Sequence, residues 1–450
     1  MGFLWGVILA EGFTILAIEV SVIRLLMPYV GSGIEVTSIL ITAVLLPMAY
    51  GYDYAGRYAQ DRTLEQVREK LKTNFFIATA FMVFALSYLV VDVFYQFMIF
   101  LGIQNHLVIT ALYAAGLVVY PIFLLAQTLP LMSCYFKDMA VQAVTGRLLF
   151  LSTLGSFLGA VLTSLLLMNW LGVSWACWII TLVLVVMVSM VSKRQELEQY
   201  SALVLSLFFA FMSRDSLMNQ LGVVAQTPYS FIEVFISPDG EDRMLKINHS
   251  ASSITSLDHQ FEYVKYIEKH FLNAHSQPLD VLVLGAGGFS IGSNDLVHRY
   301  EFVDIESQLQ EIAEQHLLRR PLNSNVTFTP KPAVNFLRDT VKQYDLVVVD
   351  MYSNQHSIPG HLVTLEFYDL VKSCLKASGV VVLNVIISPT LQDTYSRRMD
   401  NTLRTAFPFV YSVALHPSSD ISNIIYVYQP QNVDQGIYTR EKATASLDRL

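Results

Sequence analysis

The sequence predicts an α-helical membrane region followed by an α/β domain on a largely parallel sheet. Three observations predict it. Hydrophobic residues make up 53% of the 450 and charged residues only 15%, with a mean hydropathy of +0.46; an ordinary domain is about a quarter charged. The excess sits in one half, since residues 1–212 hold only 10 of the 29 Lys and Arg and 11 of the 37 Asp and Glu. The rest of the chain alternates short β-branched runs with helical periods, the pattern of successive βα units. The expected divisions are a multi-span region over 1–212, a small β part over 213–275 and an α/β domain over 276–450.

A first apolar span covers Phe3 to Tyr29. It is too long for a cleavable leader and is interrupted by Glu11, Glu19 and Arg24. Further spans fit Ile34–Tyr52, Phe75–Leu101, Leu107–Met132, Leu148–Leu171 and Val173–Val191, each long enough for a hydrocarbon core of about 30 Å. Arg57, Arg62, Arg68, Lys70 and Lys72 mark the loop between the second and third spans as cytoplasmic. Lys137, Arg147, Lys193 and Arg194 fall on the same side, while the loops at 102–106 and around Gly172 carry no Lys or Arg. Tyr200–Met212 is apolar but short for a crossing. Six spans plus this interfacial or re-entrant helix keep the following domain in the cytoplasm, whereas a seventh crossing would place it outside. The expectation is an integral protein of a bacterial inner or cell membrane.

Charged residues within spans are costly and mark functional candidates. Glu19 and Arg24 lie about 140° apart around a helix and do not pair with each other. Each therefore meets a partner elsewhere or reaches an interface, or lines a polar conduit between the spans.

In the second half, Tyr229–Ile247 alternates apolar and polar residues around Pro-Asp-Gly, a hairpin signal. Phe261–Phe271 has helical spacing. Val281–Leu284 reads as a buried parallel strand, followed by a turn at Gly285, Gly287 and Gly288 and a short helical segment. A second strand, Tyr300–Val303, ends on Asp304, which lies about 20 residues beyond the first glycine. That is the distance from a nucleotide-cradling turn to the acid that holds a ribose. Glycines admit close approach of backbone to ligand, and a carboxylate accepts from both ribose hydroxyls. The same pattern also serves plain strand-to-helix packing.

Ser307–Leu318 reads as a helix, Val326–Thr329 as a strand and Ala333–Thr340 as a helix. Asp345–Asp350 is another buried strand, with Asp350 at the carboxyl end where ligands of open α/β sheets sit. Leu365–Leu375 is helical, Val380–Ile386 a strand and Thr394–Ala406 a helix. Phe409–Leu415 and Ile424–Tyr428 are separated by too few residues for a parallel crossover, so they are antiparallel. A parallel sheet ending in an antiparallel hairpin fits the methyltransferase-type, Rossmann-like architecture better than the NAD type.

The net charge of −8 argues against a nucleic-acid partner. Cys134, Cys177 and Cys374 are far apart, without the spacing of a metal site or a disulfide framework.

These residues resemble the spermidine synthase (polyamine aminopropyltransferase) family, in its membrane-bound form with a multi-span region before the synthase domain. The resemblance rests on AIEVSVIRLLMPYVGSG (17–33), GRYAQDR (56–62), FEYVKYI, VLVLGAGGFS, EFVDIE and the run from Tyr344 to Ile386. It implies transfer of propylamine from decarboxylated S-adenosylmethionine to a diamine or related amine, with no metal. Asp350 resembles the catalytic aspartate. Asp304 resembles the ribose-binding acid, with Gly285, Gly287 and Gly288 along the methionine-derived part and Glu306 as a further cofactor-binding residue. Tyr352, Ser353, Glu262 and Asp258 are the expected amine-side contacts. The resemblance also implies partnership with a lipid bilayer and allows a homo-oligomer.

The sequence departs from the family pattern at Pro332-Ala333, where an Asp-Gly pair contacts adenine. It also departs at Ser353, where a second aspartate holds the distal ammonium, and at Asn248-His249 and Ser252 in the small sheet. These departures leave two alternatives: a methyltransferase using S-adenosylmethionine on another acceptor, or a nonenzymatic nucleoside-binding or transport-coupled membrane protein.

Overall fold

The described residues between 2 and 212 are helical almost throughout, so the long apolar stretches satisfy their backbone polar groups within each helix. The computed structural model describes residues 2–31, 33–136, 140–193, 196–227, 229–256, 259–352 and 358–430. The expected contacts Asp258 and Ser353 lie outside the described residues. The chain divides into two compact units, Met1–Glu233 and Val234–Leu450.

Among the described residues of the first unit, five helices are long and apolar enough to cross a membrane: Leu4–Val30, Ile34–Tyr58, His106–Phe136, Val141–Leu171 and Val173–Val191. The remaining expected span is not one straight helix. Leu64–Ala85 and Tyr88–Phe100 meet at a 67° bend, because Ser87 takes an extended backbone (φ −85°, ψ 123°). The Tyr113 hydroxyl donates to the Ala85 carbonyl at 2.7 Å, satisfying a backbone acceptor next to the break. Leu197–Met212 is a 16-residue apolar helix, shorter than the usual span.

Gly2–Val30 and Val141–Leu162 approach closely because three glycines leave room. A Cβ on Gly155 would lie 2.1 Å from the Leu9 carbonyl oxygen, and one on Gly159 2.2 Å from that of Phe13. A Cβ on Gly12 would meet the Ser152 carbonyl at 2.0 Å. Such small-residue seams let helix backbones touch. Gly155→Val is expected to cost at least about 2 kcal/mol, read as a lower temperature at which the purified full chain loses its monodisperse gel-filtration peak.

Glu11 and Arg24 of the first helix find partners other than one another. Ser152 Oγ donates to Glu11 Oε2 at 2.9 Å, and Arg24 Nε donates to the Thr227 carbonyl at 3.0 Å. That carbonyl belongs to the segment after strand β1 (Val223–Gln226), which pairs antiparallel with β2 (Phe231–Ile236).

In the second unit, β2 turns through Ser237–Asp242 into β3 (Arg243–Ile247), as the Pro-Asp-Gly signal predicts. The Ser237 N–H donates to the Asp242 carbonyl. β3 pairs antiparallel with β4 (Ser250–Thr255). A seven-stranded sheet follows, formed by β5 (Asp280–Leu284), β6 (Arg299–Asp304), β7 (Val326–Pro330), β8 (Tyr344–Val349), β9 (Leu375–Ile387), β10 (Tyr411–Ala414) and β11 (Ser422–Tyr428). Its order is β10-β11-β9-β8-β5-β6-β7. β5 through β9 pair in parallel, whereas β11 runs antiparallel to both β9 and β10. The C-terminal hairpin is thus as expected. Alternating residues of the central strands are buried on both faces, and Val381, Leu383, Phe367, Tyr368, Leu403 and Phe407 form part of one core.

Two expectations need correction. No regular helix follows the glycine turn between β5 and β6. Gly285, Gly287, Phe289 and Gly292 all have positive φ, and a helix cannot propagate through that backbone. The segment expected as a helix over 307–318 is one α-turn at Leu309–Ile312 that widens into a π-helical turn at Ala313–Leu317.

At the opposite edge from the carboxyl ends of the strands, Asp280 accepts from Arg299 Nε at 2.9 Å and from Lys376 Nζ at 3.0 Å. The Arg299 hydrogen bond leads in lowering its pKa to about 2, with Lys376 adding to it. A depressed carboxylate contributes stability above its unfolded value and loses it as pH falls through the folded value. Asp280→Asn is therefore expected to cost about 1–2 kcal/mol at pH 7, after discounting for the exposed cations. The cost vanishes below about pH 2, which urea titrations at both pH values would read.

Candidate active site

Sheet order reverses at β5, whose neighbours are β8 on one side and β6 on the other. Chain crossovers diverge there and leave a crevice beyond the carboxyl ends of the strands. Gly285 and Asp350 are the first residues past the paired Leu284 and Val349, so register alone puts them side by side. The Asp350 N–H donates to the Leu284 carbonyl and the Gly285 N–H to the Val303 carbonyl, both at 2.9 Å. A Cβ on Gly285 would sit 2.0 Å from the Asp350 carbonyl oxygen, and its φ is +96°. Only glycine fits. Gly287 (φ +48°) lies beneath β4, where a Cβ would be 2.7 Å from Ser252 Oγ.

Over these elements opens a cavity of about 790 Å³, within the range of small-molecule sites. Of the expected site residues, Gly285, Gly287, Asp304, Asp350 and Tyr352 line it. Gly288, Glu306 and Glu262 are not among its lining residues. The Gly288 N–H donates to Ser253 Oγ at 2.8 Å and so fastens the turn to β4. Glu306 is buried, and its Oε1 accepts from the Gln308 N–H at 3.2 Å at the start of the next helix. Glu262 is exposed and pairs with His416 at 3.0 Å.

Asp304 holds the turn in shape. Its Oδ2 accepts from the Ala286 N–H at 2.9 Å and its Oδ1 from the Glu306 N–H at 3.0 Å. Burial raises its pKa above the ordinary carboxylate value, while those two N–H groups work in the other direction. Each carboxylate oxygen keeps a second lone pair for a ligand hydroxyl.

Asp350 is gripped from two sides. Asn384 Nδ2 on β9 donates to its Oδ1 at 2.9 Å, and Asn423 Nδ2 on β11 donates to Asn384 Oδ1 at 2.8 Å. The Tyr263 hydroxyl also donates to Asp350. Burial raises the Asp350 pKa, partly offset by Asn384 and Tyr263. Burial, then the Asp350 charge, holds the Tyr263 phenol far above its usual value, so it stays a donor. The Tyr352 hydroxyl donates to the Asn384 carbonyl at 3.1 Å and accepts from the Ile386 N–H at 2.6 Å. Its expected role as an amine contact is therefore joined by a structural one.

Sequence reasoning missed Tyr263, Asn384 and Asn423. Tyr263 lies within FEYVKYI, where helical spacing marks the aromatic residues as core. Asn384 is the one polar residue in the run VVVLNVI, which was the available signal.

Residues 260–435 match the family described as the spermine/spermidine synthase domain. The chain is 30% identical over 148 residues to polyamine aminopropyltransferase 2 of Hyperthermus butylicus, covering 31% of this chain and 48% of that protein. It is 28% identical over 177 residues to the polyamine aminopropyltransferase of Vibrio vulnificus, covering 38% and 57%. The chain thus spans about half the length of these curated relatives. A probable spermidine synthase from Corynebacterium glutamicum superposes with a TM-score of 0.40 at 18% identity, over 49% of this chain and 83% of that one. Every residue placed around Asp350 above falls inside the matched synthase domain.

Proposed function

We propose that the chain is an aminopropyltransferase that moves propylamine from decarboxylated S-adenosylmethionine to an amine. The observation that carries this reading is Asp350. Its carboxylate opens onto the cavity beside the glycine turn and is aimed by Asn384 and Tyr263. In this reading the adenosine ribose rests on Asp304, and Gly285 and Gly287 admit the sulfur-bearing tail. Pro332-Ala333 lines the cavity without offering an N–H or a carboxylate from Pro332, so the adenine is held there by packing rather than by a proline donor.

A free alkylamine has a pKa of about 10, like lysine, and arrives protonated. The Asp350 carboxylate takes one proton and orients the nitrogen. The nitrogen lone pair then forms the bond to the propyl carbon as the carbon–sulfur bond breaks. The bonding pair returns to sulfur, and methylthioadenosine leaves as a neutral thioether. The raised pKa of Asp350 makes it a stronger base than an exposed carboxylate.

The proton-accepting form is the ionised one. The pH profile of kcat/KM is therefore expected to fall on the acid side, with a midpoint above the ordinary carboxylate range. Asn384→Leu and Tyr263→Phe each remove a donor to the ionised form, so each is expected to move that midpoint to higher pH. Midpoints unchanged in both variants would contradict this role for the two donors.

We further propose that the first unit spans a bilayer, with the bent pair counting as one of six crossings and the basic loop after Tyr58 on the cytoplasmic side. Cytoplasmic labelling of cysteines introduced at Arg62 and Asp420 tests the sidedness of both units.

Purified full chain with decarboxylated or ordinary S-adenosylmethionine and a panel of amines tests the activity. Release of methylthioadenosine is the expected result. Adenosylhomocysteine would instead indicate a methyltransferase, and binding without turnover a nonenzymatic protein.

A further inference from the structure

A nucleoside whose sulfur faces Asp350 and whose ribose lies on Asp304 has its base on the side away from β8. Sheet order makes that side β7, because the strands run β8-β5-β6-β7. Asp304 pairs in register with Pro330 at the end of β7, and the Lys331 N–H donates to the Asp304 carbonyl at 2.8 Å. The base therefore falls over Pro332 and the helix Ala333–Asp339 that follows it.

Two kinds of lining meet it there. Ile305, Pro332 and Val334 are apolar cavity residues suited to the flat faces of a purine. The edge of the ring needs polar partners. Asn335 and Arg338 line the cavity from the same helix, and Glu366 from the helix Leu365–Ser373 packed on it. An adenine edge presents a donor, its exocyclic amine, beside an acceptor, a ring nitrogen. Arg338 only donates and a carboxylate such as Glu366 only accepts. The Asn335 amide does both from one planar group.

The amide is also at liberty to do so. Asn335 stands three residues after Pro332, which opens the helix without a side-chain cap. In that position an amide or carboxylate side chain turns back to the backbone N–H of the opening residue, and a proline has none. Asn335 is exposed, and its side chain makes no hydrogen bond with another described residue.

We infer that Asn335 reads the base, its amide oxygen accepting from the adenine amine and its NH2 donating to a neighbouring ring nitrogen. The inference rests on the transferase reading and adds a specificity-determining residue to its nucleoside site. Recognition passes from Pro332, which offers only packing, to a side chain one turn further on.

The test is calorimetric binding of methylthioadenosine and of its purine riboside analogue, in which hydrogen replaces the exocyclic amine. Both are titrated into the purified full chain and into its Asn335→Ala and Glu366→Ala variants. The wild-type chain is expected to bind the adenine compound at least about fivefold more tightly, the low end of what a bidentate amide–adenine pair contributes. In Asn335→Ala the two compounds should bind within about twofold of each other, as expected when the partner of the deleted amine is gone. Glu366→Ala should keep the wild-type preference. A preference that persists in Asn335→Ala, is lost in Glu366→Ala, or is absent from the wild-type chain would overturn the inference and leave the transferase reading intact. Failure of the wild-type chain to bind methylthioadenosine would overturn both.

Discussion

Asp350→Asn is expected to lower kcat for methylthioadenosine release by about 10³-fold or more, within the range that a positioned acid–base group contributes. The substitution keeps the size of the side chain and removes its capacity to take a proton at neutral pH. Binding of methylthioadenosine, which needs no proton acceptor, is expected to change by less than about threefold. The split matters because Asp350 is held by Asn384 and Tyr263, and a merely structural carboxylate would give a different pattern. A structural role would lower the denaturation midpoint and weaken ligand binding together. A variant that retains wild-type kcat would remove Asp350 from the chemistry.

Gly285→Ala is expected to be nearly as damaging by a different route. The residue has φ +96°, and the new Cβ would lie 2.0 Å from the Asp350 carbonyl oxygen. Backbone on one side and backbone on the other leave nothing flexible to yield. Strain at that dihedral and overpacking each cost about 1–3 kcal/mol, and the relief available is a shift of Asp350 itself. Turnover and the urea midpoint should therefore fall together. Gly360→Ala is the control, because a Cβ there meets nothing within 4 Å. It should leave the urea midpoint in place.

How much of this was legible in the sequence depends on how far each feature is determined locally. The strands β5 and β8 are built on continuous apolar runs, Val281–Leu284 and Leu346–Val349, bounded by glycine or acid, and buried parallel strands need little else. Parallel register then places Gly285 beside Asp350 without further information. The C-terminal hairpin followed from the length of its connection. The groups that aim Asp350 were harder to see. Tyr263 and Asn384 reach Asp350, and Asn423 reaches Asn384, only once the chain folds, so no spacing rule could join them.

The misplaced expectations have the same origin. A helix after the glycine turn fits the apolar content of 289–298, but four positive-φ residues from Gly285 to Gly292 turn the chain too sharply for one. Glu306 looked like a second nucleoside contact by its place in EFVDIE; its side chain instead accepts from the Gln308 N–H and stays buried. Hydropathy measured the run Phe75–Leu101 correctly as apolar, yet it does not register backbone direction. The 67° bend at Ser87 was invisible to it.

The central claim is a placement: an adenosyl thioether whose ribose lies on Asp304 and whose sulfur faces Asp350. A crystal structure of the full chain with methylthioadenosine measures it directly. The account predicts both ribose hydroxyls within hydrogen-bond distance of the Asp304 carboxylate and the sulfur between Gly285 and the Asp350 side chain. A nucleoside bound outside this cavity, or one whose sulfur points away from Asp350, would contradict it.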